Sequence, residues 1–167
     1  HLGLGETPAH DITASCSGFV YALEVAARCV LTGEAPVLAV AADVRSRFVD
    51  VRDRSTAPLF GDGAAAALVD EGPVDEGLLA IALLADGTGA HSVYVPAGGS
   101  REPASARTVA EGKHTIRMEA GPKVYLKAVE GMLGTAEALL QSEGLDWNDI
   151  ALLVPHQPNR RILDRLA

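Results

Sequence analysis

Asp11-Ile12-Thr13-Ala14-Ser15-Cys16-Ser17-Gly18-Phe19-Val20-Tyr21-Ala22-Leu23 reads as a short strand, a tight turn carrying a cysteine, and the start of a helix. Asp11 to Ser15 mixes β-branched and small residues, which suits a strand. Ser17 and Gly18 fit a turn or a helix N-cap. From Phe19 to Leu31 the chain is almost wholly apolar. That run is long for a strand and predicts a helix buried on most faces. Its only charges, Glu24 and Arg28, are spaced as a helical i,i+4 ion pair is. Cys16 therefore stands just before a helix N-terminus, where unpaired N–H groups and the positive end of the dipole favour thiolate. A nucleophilic cysteine and a small buried hydrophobe both fit that place.

Outward from this stretch, Thr32-Gly33 ends the helix, with Gly as the stop signal. Pro36 to Ala42 is a continuous apolar run, as in a strand covered on both faces. Strand, helix and strand in this order imply a parallel pair with a right-handed crossover. Asp43 to Arg54 alternates acidic and basic residues and predicts a solvated loop, whose arginines also suit an anionic partner. Leu59-Phe60-Gly61-Asp62-Gly63 is a Gly-kinked turn entering a small-residue strand, Ala64 to Val69. Glycine there permits unusual backbone angles or close approach of another backbone. The Lys and Ser/Thr of a phosphate loop are missing. Leu2 to Pro8 is Gly-rich and reads as a loop or a helix end, and acidic Asp70 to Gly77 marks a boundary between halves 1–75 and 76–167.

In the second half, Leu78 to Ala85 predicts a strand, Asp86 to Gly89 a turn, Ser92 to Val95 a short strand, and Pro96 to Ala106 a loop that is flexible by composition. Gly121-Pro122 opens a long helix that ends near Gly144. Asp146 to Asp149 is a turn, and Ile150 to Val154 predicts a buried strand. Pro155 stops that strand and presents His156 just past its end, with Gln157 and Asn159 nearby. The α/β alternation thus sets Cys16 and His156 at the margins of buried strands, where ligands bind in open α/β sheets. A cysteine at a helix start plus such a histidine is the minimum for thiol nucleophilic catalysis.

Composition narrows the classes. The 167 residues are 48% hydrophobic with formal net charge −8, a globular composition that argues against nucleic-acid binding through phosphate neutralisation. Cys16 and Cys29 form neither a CxxC pair nor a cysteine–histidine cluster, so no structural zinc or disulfide framework is expected, and Cys29 reads as core. Charges interrupt every apolar run short of membrane-spanning length. No signal peptide is visible, and reduced cytoplasm is the default compartment. The chain opens at His1 without methionine and closes on an amphipathic helical pattern without a stop signal, which reads as an internal piece of a longer protein.

Two motifs, Ala14-Ser15-Cys16-Ser17-Gly18-Phe19 and Pro155-His156-Gln157-Pro158-Asn159-Arg160-Arg161-Ile162, together resemble the β-ketoacyl-acyl carrier protein synthase III family of the thiolase-like superfamily. Phe60-Gly61-Asp62-Gly63-Ala64, Val95-Pro96-Ala97-Gly98-Gly99-Ser100 and Met118 to Val129 agree with it in order and spacing. The resemblance implies an α/β, thiolase-like layered fold of two similar halves, incomplete in this chain, and usually a homodimer. It implies Cys16 as nucleophile and His156 as an oxyanion donor in a shared pocket. A third catalytic residue, an asparagine in a Gly-Asn-Thr-Ser type motif, would lie beyond residue 167. Pro158 stands where the family commonly has Ala. Pro122 and Tyr125 stand near Gly121, where it often has Asn and then an aromatic.

The implied reaction is decarboxylative Claisen condensation of a short acyl-CoA with malonyl-acyl carrier protein, through an acyl-cysteine, with no metal or redox cofactor. Arg161 matches the family's arginine in the histidine motif and is a candidate docking residue for the acidic carrier protein. Gly121 and Tyr125 are further candidates for substrate binding. Alternatives are a thiolase-like acyltransferase forming esters or amides, with His156 as base, and an inactive truncated fragment. Papain-like proteases share the cysteine-to-histidine interval, but their C-G-[SA]-C-[WY] pattern is absent.

Overall fold

The computed structural model describes Gly3 and residues 5–73 and 76–167. His1, Leu2, Leu4, Val74 and Asp75 lie outside the described residues, so the expected loop Leu2 to Pro8 and the expected boundary at Asp70 to Gly77 fall partly outside them. The chain forms two compact units: His1–Ala41 with Ala65–Ile81, and Ala42–Ala64 with Ala82–Ala167.

The first unit carries helix α1, Gly18–Leu31, preceded by a 3-10 turn at Ser15–Ser17. Glu24 and Arg28 pair across one helical turn as expected, at 2.5 Å. With Arg28 75% exposed, that pair contributes only about 0.3–0.5 kcal/mol. Thr32 caps the C-terminus, its hydroxyl donating to the Cys29 carbonyl at 2.9 Å, and Gly33 follows with φ +90. That left-handed value is one glycine adopts without steric cost. Ser17 occupies the N-cap position but makes no side-chain capping bond. Of the whole helix only Ala26 is buried, so the expectation of a helix buried on most faces is corrected.

Strand β1, Val37–Val44, pairs with β2, Asp62–Val69, in a two-stranded sheet. Apolar Leu38 and Val40 are exposed, against the expectation of a strand covered on both faces. Residues 11–14 form no strand, so the predicted parallel pair with its crossover is not present among the described residues. Gly61 and Gly63 show neither a positive φ nor any atom that a Cβ would meet, so neither reason expected for glycine applies there.

The second unit holds a short antiparallel hairpin. Strand β3, Val93–Tyr94, pairs with β4, Arg117–Met118, in the register Val93 to Met118 and Tyr94 to Arg117. Between them lies helix α2, Ala106–Ala110, capped by Ser105, whose side chain takes the Thr108 N–H while Thr108 returns a bond to the Ser105 N–H. Neither α2 nor β4 was expected. The Ser105 and Thr108 spacing is the available signal for the first. The loop Pro96 to Ala106 is pinned, by Ala97 N–H to the Lys113 carbonyl and by the Lys113–Glu102 ion pair at 2.9 Å. Helix α3 spans Gly121–Ser142, with proline in its first turn as expected. A short helix, α4, spans Arg160–Leu166. The turn at Asp86 is tied to α3 by Lys127, 2.5 Å from the Asp86 carboxylate. That ammonium holds the Asp86 carboxyl well below the usual carboxylate range.

The predicted strands at Leu78 to Ala85 and Ile150 to Val154 are corrected: neither joins a ladder. A strand is stabilised by pairing its N–H and C=O groups with a neighbour, and these segments have none among the described residues. Several of their large side chains face solvent, Leu79 at 71%, Leu84 at 73%, Leu152 at 77% and Val154 at 72% exposure. Burying one such side chain is worth about 1.5–3 kcal/mol. The chain by itself is therefore expected to enhance the fluorescence of the apolar dye ANS strongly. Replacing Leu84 and Leu152 with serine should reduce that signal, and an isolated chain that leaves the dye dark would show these faces to be covered.

Candidate active site

Cys16 lies in the 3-10 turn Ser15–Ser17 that leads directly into α1, and it is exposed. Ser15 before it has φ +49, a left-handed conformation rare for a residue with a Cβ. Strain of this kind, of order 1–3 kcal/mol, concentrates at functional sites. Nothing in the sequence marks it, since serine is not a residue that favours the region. Cys29 is half-buried in the last turn of α1.

In the second unit, His156 is exposed and follows Pro155 in an irregular segment, rather than standing at a strand end. Three residues on, Asn159 caps α4, its side-chain oxygen accepting the Ile162 N–H at 3.1 Å. Ile162 is 3% exposed and seats the short helix. The Tyr125 hydroxyl, one turn into α3, donates to the Arg161 carbonyl at 3.4 Å. The structure thus brings Tyr125 to the N-terminus of α4, the helix that follows the segment carrying His156. Gly121 is the first residue of α3, preceded by Ala120 with φ +55. A Cβ at Gly121 would meet the Met118 side chain at an ordinary 3.5 Å, so space does not demand glycine there.

Charge on α4 is uneven. Arg160 pairs with Asp164 at 2.6 Å, whereas among the described residues Arg161 and Arg165 have no carboxylate oxygen within 4.0 Å. Arg161 and Arg165 are one turn apart and share a basic face.

The connection 45–61 between β1 and β2 is exposed over much of its length, as expected of a solvated loop, and carries its own hydrogen bonds. Its first residues form a 3-10 turn at Arg45–Phe48. The Ser46 N–H and hydroxyl both donate to the Asp62 carboxylate, each at 2.7 Å. These bonds, led by the Ser46 N–H, hold the Asp62 carboxyl below its ordinary value. The Asp53 carboxylate accepts the Ser55 hydroxyl at 2.6 Å and the Thr56 hydroxyl at 2.7 Å, bonds that bring its carboxyl down to about 2. Sequence reasoning passed over Ser46 and Asp62 because sixteen residues separate them and neither belongs to a periodic pattern.

A family model described as 3-oxoacyl-[acyl-carrier-protein (ACP)] synthase III matches residues 10–92. Over 164 residues the chain is 43% identical to β-ketoacyl-[acyl-carrier-protein] synthase III of Syntrophomonas wolfei, a match covering 98% of this chain and 49% of that protein. The chain belongs to the β-ketoacyl-acyl carrier protein synthase III family. The corresponding synthase III of Chlamydia caviae is 47% identical over 169 residues, covering 100% of this chain and 50% of that protein. The crystal structure of synthase III from Pseudomonas aeruginosa PAO1 superposes with a TM-score of 0.81 at 34% identity, over 93% of this chain and 47% of that one. The fold of this family member is accordingly thiolase-like, α/β and incomplete. The chain spans about half the length of the curated relatives it matches. Among the described residues, no helix is long and apolar enough to cross a membrane, and no cluster of three or more His, Cys, Asp or Glu residues is arranged to hold a metal ion.

Proposed function

We propose that this chain supplies the nucleophile and one oxyanion donor of a condensing enzyme that joins a short acyl-CoA to malonyl-acyl carrier protein. The observation that carries this is the family match, which runs through both the Cys16 and the His156 motifs at above 40% identity. Cys16 thiolate attacks the acyl-CoA thioester, CoA thiolate leaves, and an acyl-cysteine remains. The malonyl thioester then loses CO2, and the enolate charge developing on its oxygen is met by donors, of which His156 is one. The carbanion attacks acyl-Cys16, releasing the sulfur and giving 3-ketoacyl-carrier protein. That sequence of bonds needs neither a metal nor a redox cofactor.

Cys16 comes from the half 1–75 and His156 from the half 76–167, and the protein would act as a cytoplasmic homodimer. The other donor, an asparagine by family resemblance, has no Gly-Asn-Thr-Ser run within residues 1–167. The exposed guanidiniums of Arg47 and Arg54 supply positive charge for the phosphates of the CoA donor. Gly121 and Tyr125 are further candidates for binding the substrate.

The test is to supply acetyl-CoA and malonyl-acyl carrier protein to the longest polypeptide bearing this sequence. Acetoacetyl-carrier protein and CO2 are expected, and their absence together with an unacylated chain refutes the reading. The net charge of −8 sets a second test, because the carrier protein is acidic too and needs a local basic face. Arg161→Glu should raise the KM for malonyl-acyl carrier protein about tenfold and leave acylation from CoA intact. Equal loss in both steps would remove Arg161 from docking.

A further inference from the structure

We propose that Tyr94 is a positioning residue, whose hydroxyl bond to Glu119 holds the left-handed kink at Ala120 and so aims the start of α3, with Tyr125, at the N-terminus of α4, the helix that follows His156. The inference rests on the condensing reading above, in which His156 meets the charge that develops on the malonyl thioester. β4 ends at Met118, and α3 begins at Gly121. The chain turns between them through Glu119 and Ala120. Ala120 has φ +55, a conformation that residues with a Cβ rarely adopt, and no side chain caps the helix there. Such a backbone persists only where its surroundings over-determine it.

Here both sides of the kink are tied to the segment 86–94. Ahead of it, the Glu119 N–H donates to the Ser92 carbonyl at 2.9 Å, and the Tyr94 hydroxyl donates to the Glu119 carboxylate at 2.8 Å. Glu119 is thus held by its backbone and by its side chain at once. The bond to the carboxylate pushes the Tyr94 hydroxyl above its ordinary pKa, so Tyr94 stays the donor. The His91 ring meets the Tyr94 ring edge to face, with centroids 5.9 Å apart, and steadies it. Beyond the kink, Lys127 reaches back to Asp86 at 2.5 Å. Between Glu119 and Lys127 lies Tyr125, whose hydroxyl donates to the Arg161 carbonyl at 3.4 Å where α3 packs on α4. That bond is near the limit of useful length, so a small shift of α3 breaks it. The N-cap of α4, Asn159, follows His156 closely in the chain, and a shift of α4 is passed to that segment.

A tyrosine that only fills space and one that holds the kink predict different results. Tyr94→Phe keeps the ring beside His91 and removes only the hydroxyl. In the longest polypeptide bearing this sequence, it is expected to slow CO2 release from carboxyl-labelled malonyl-acyl carrier protein about fivefold, since small misplacements remote from the chemistry are costly. Burst acylation by acetyl-CoA should stay intact. Glu119→Ala should match Tyr94→Phe, and Glu119→Gln, which keeps an acceptor, should retain the rate. The double variant Tyr94→Phe/Glu119→Ala should lose no more than either change alone, because both remove the same bond. Unchanged CO2 release in Tyr94→Phe overturns the inference, as does equal loss of both steps or a double variant whose losses multiply. If Tyr94→Phe does not fold, Glu119→Ala against Glu119→Gln decides by the same criterion. Undiminished CO2 release in His156→Ala would instead remove the reading of His156 beneath the inference, whatever Tyr94→Phe does.

Discussion

Replacing Cys16 with alanine is expected to abolish transfer of a labelled acetyl group from acetyl-CoA to the protein, and replacing Cys29 is expected to leave it unchanged. The two sulfurs differ in setting. Cys16 is exposed in the turn ahead of α1, held there by the left-handed Ser15, with the helix N–H groups next along the chain. Cys29 sits at the opposite end of the same helix, half-buried, where the backbone offers carbonyls and not the N–H donors that an oxyanion needs. Loss of a covalent nucleophile costs about 10⁴-fold or more, because no other group can form the intermediate. Mass spectrometry of the acetylated peptides is the direct measurement. Label on Cys29, or label that survives Cys16→Ala, removes Cys16 from the chemistry.

His156→Ala is expected to slow condensation about 10²–10³-fold while leaving the acyl-Cys16 intermediate able to form. As an oxyanion donor His156 acts when the malonyl thioester loses CO2, a step later than acylation. The Asn159 cap and buried Ile162 fix the start of α4, and His156 lies just ahead of that cap. The substitution should therefore leave the anchor of the segment in place. Release of labelled CO2 from carboxyl-labelled malonyl-acyl carrier protein reports the affected step, and burst acylation by acetyl-CoA reports the spared one. Equal loss of both would make His156 a base for the thiol instead, as the alternative ester- or amide-forming reading requires.

Much of the candidate site was legible locally. Cys16 before a helix, the Glu24–Arg28 pair, the Gly33 stop and the Pro122 start depend on residues within one or two turns of each other, and the structure has each of them. The Ser46–Asp62 clamp was not legible, because its partners meet only when β1 and β2 pair. Nor was the left-handed Ser15, whose conformation is imposed on a residue that does not prefer it.

By itself the sequence determined the helices α1, α3 and α4, the place of the cysteine ahead of α1 and the family, since capping, apolar period and motif order are written in consecutive residues. Only the tertiary structure decided which apolar runs become strands. Val37–Val44 and Asp62–Val69 found each other, whereas Leu78 to Ala85 and Ile150 to Val154 remained irregular, largely exposed and unpaired among the described residues. The reason is that a helix satisfies its backbone hydrogen bonds within itself, while a strand satisfies them only on a neighbour.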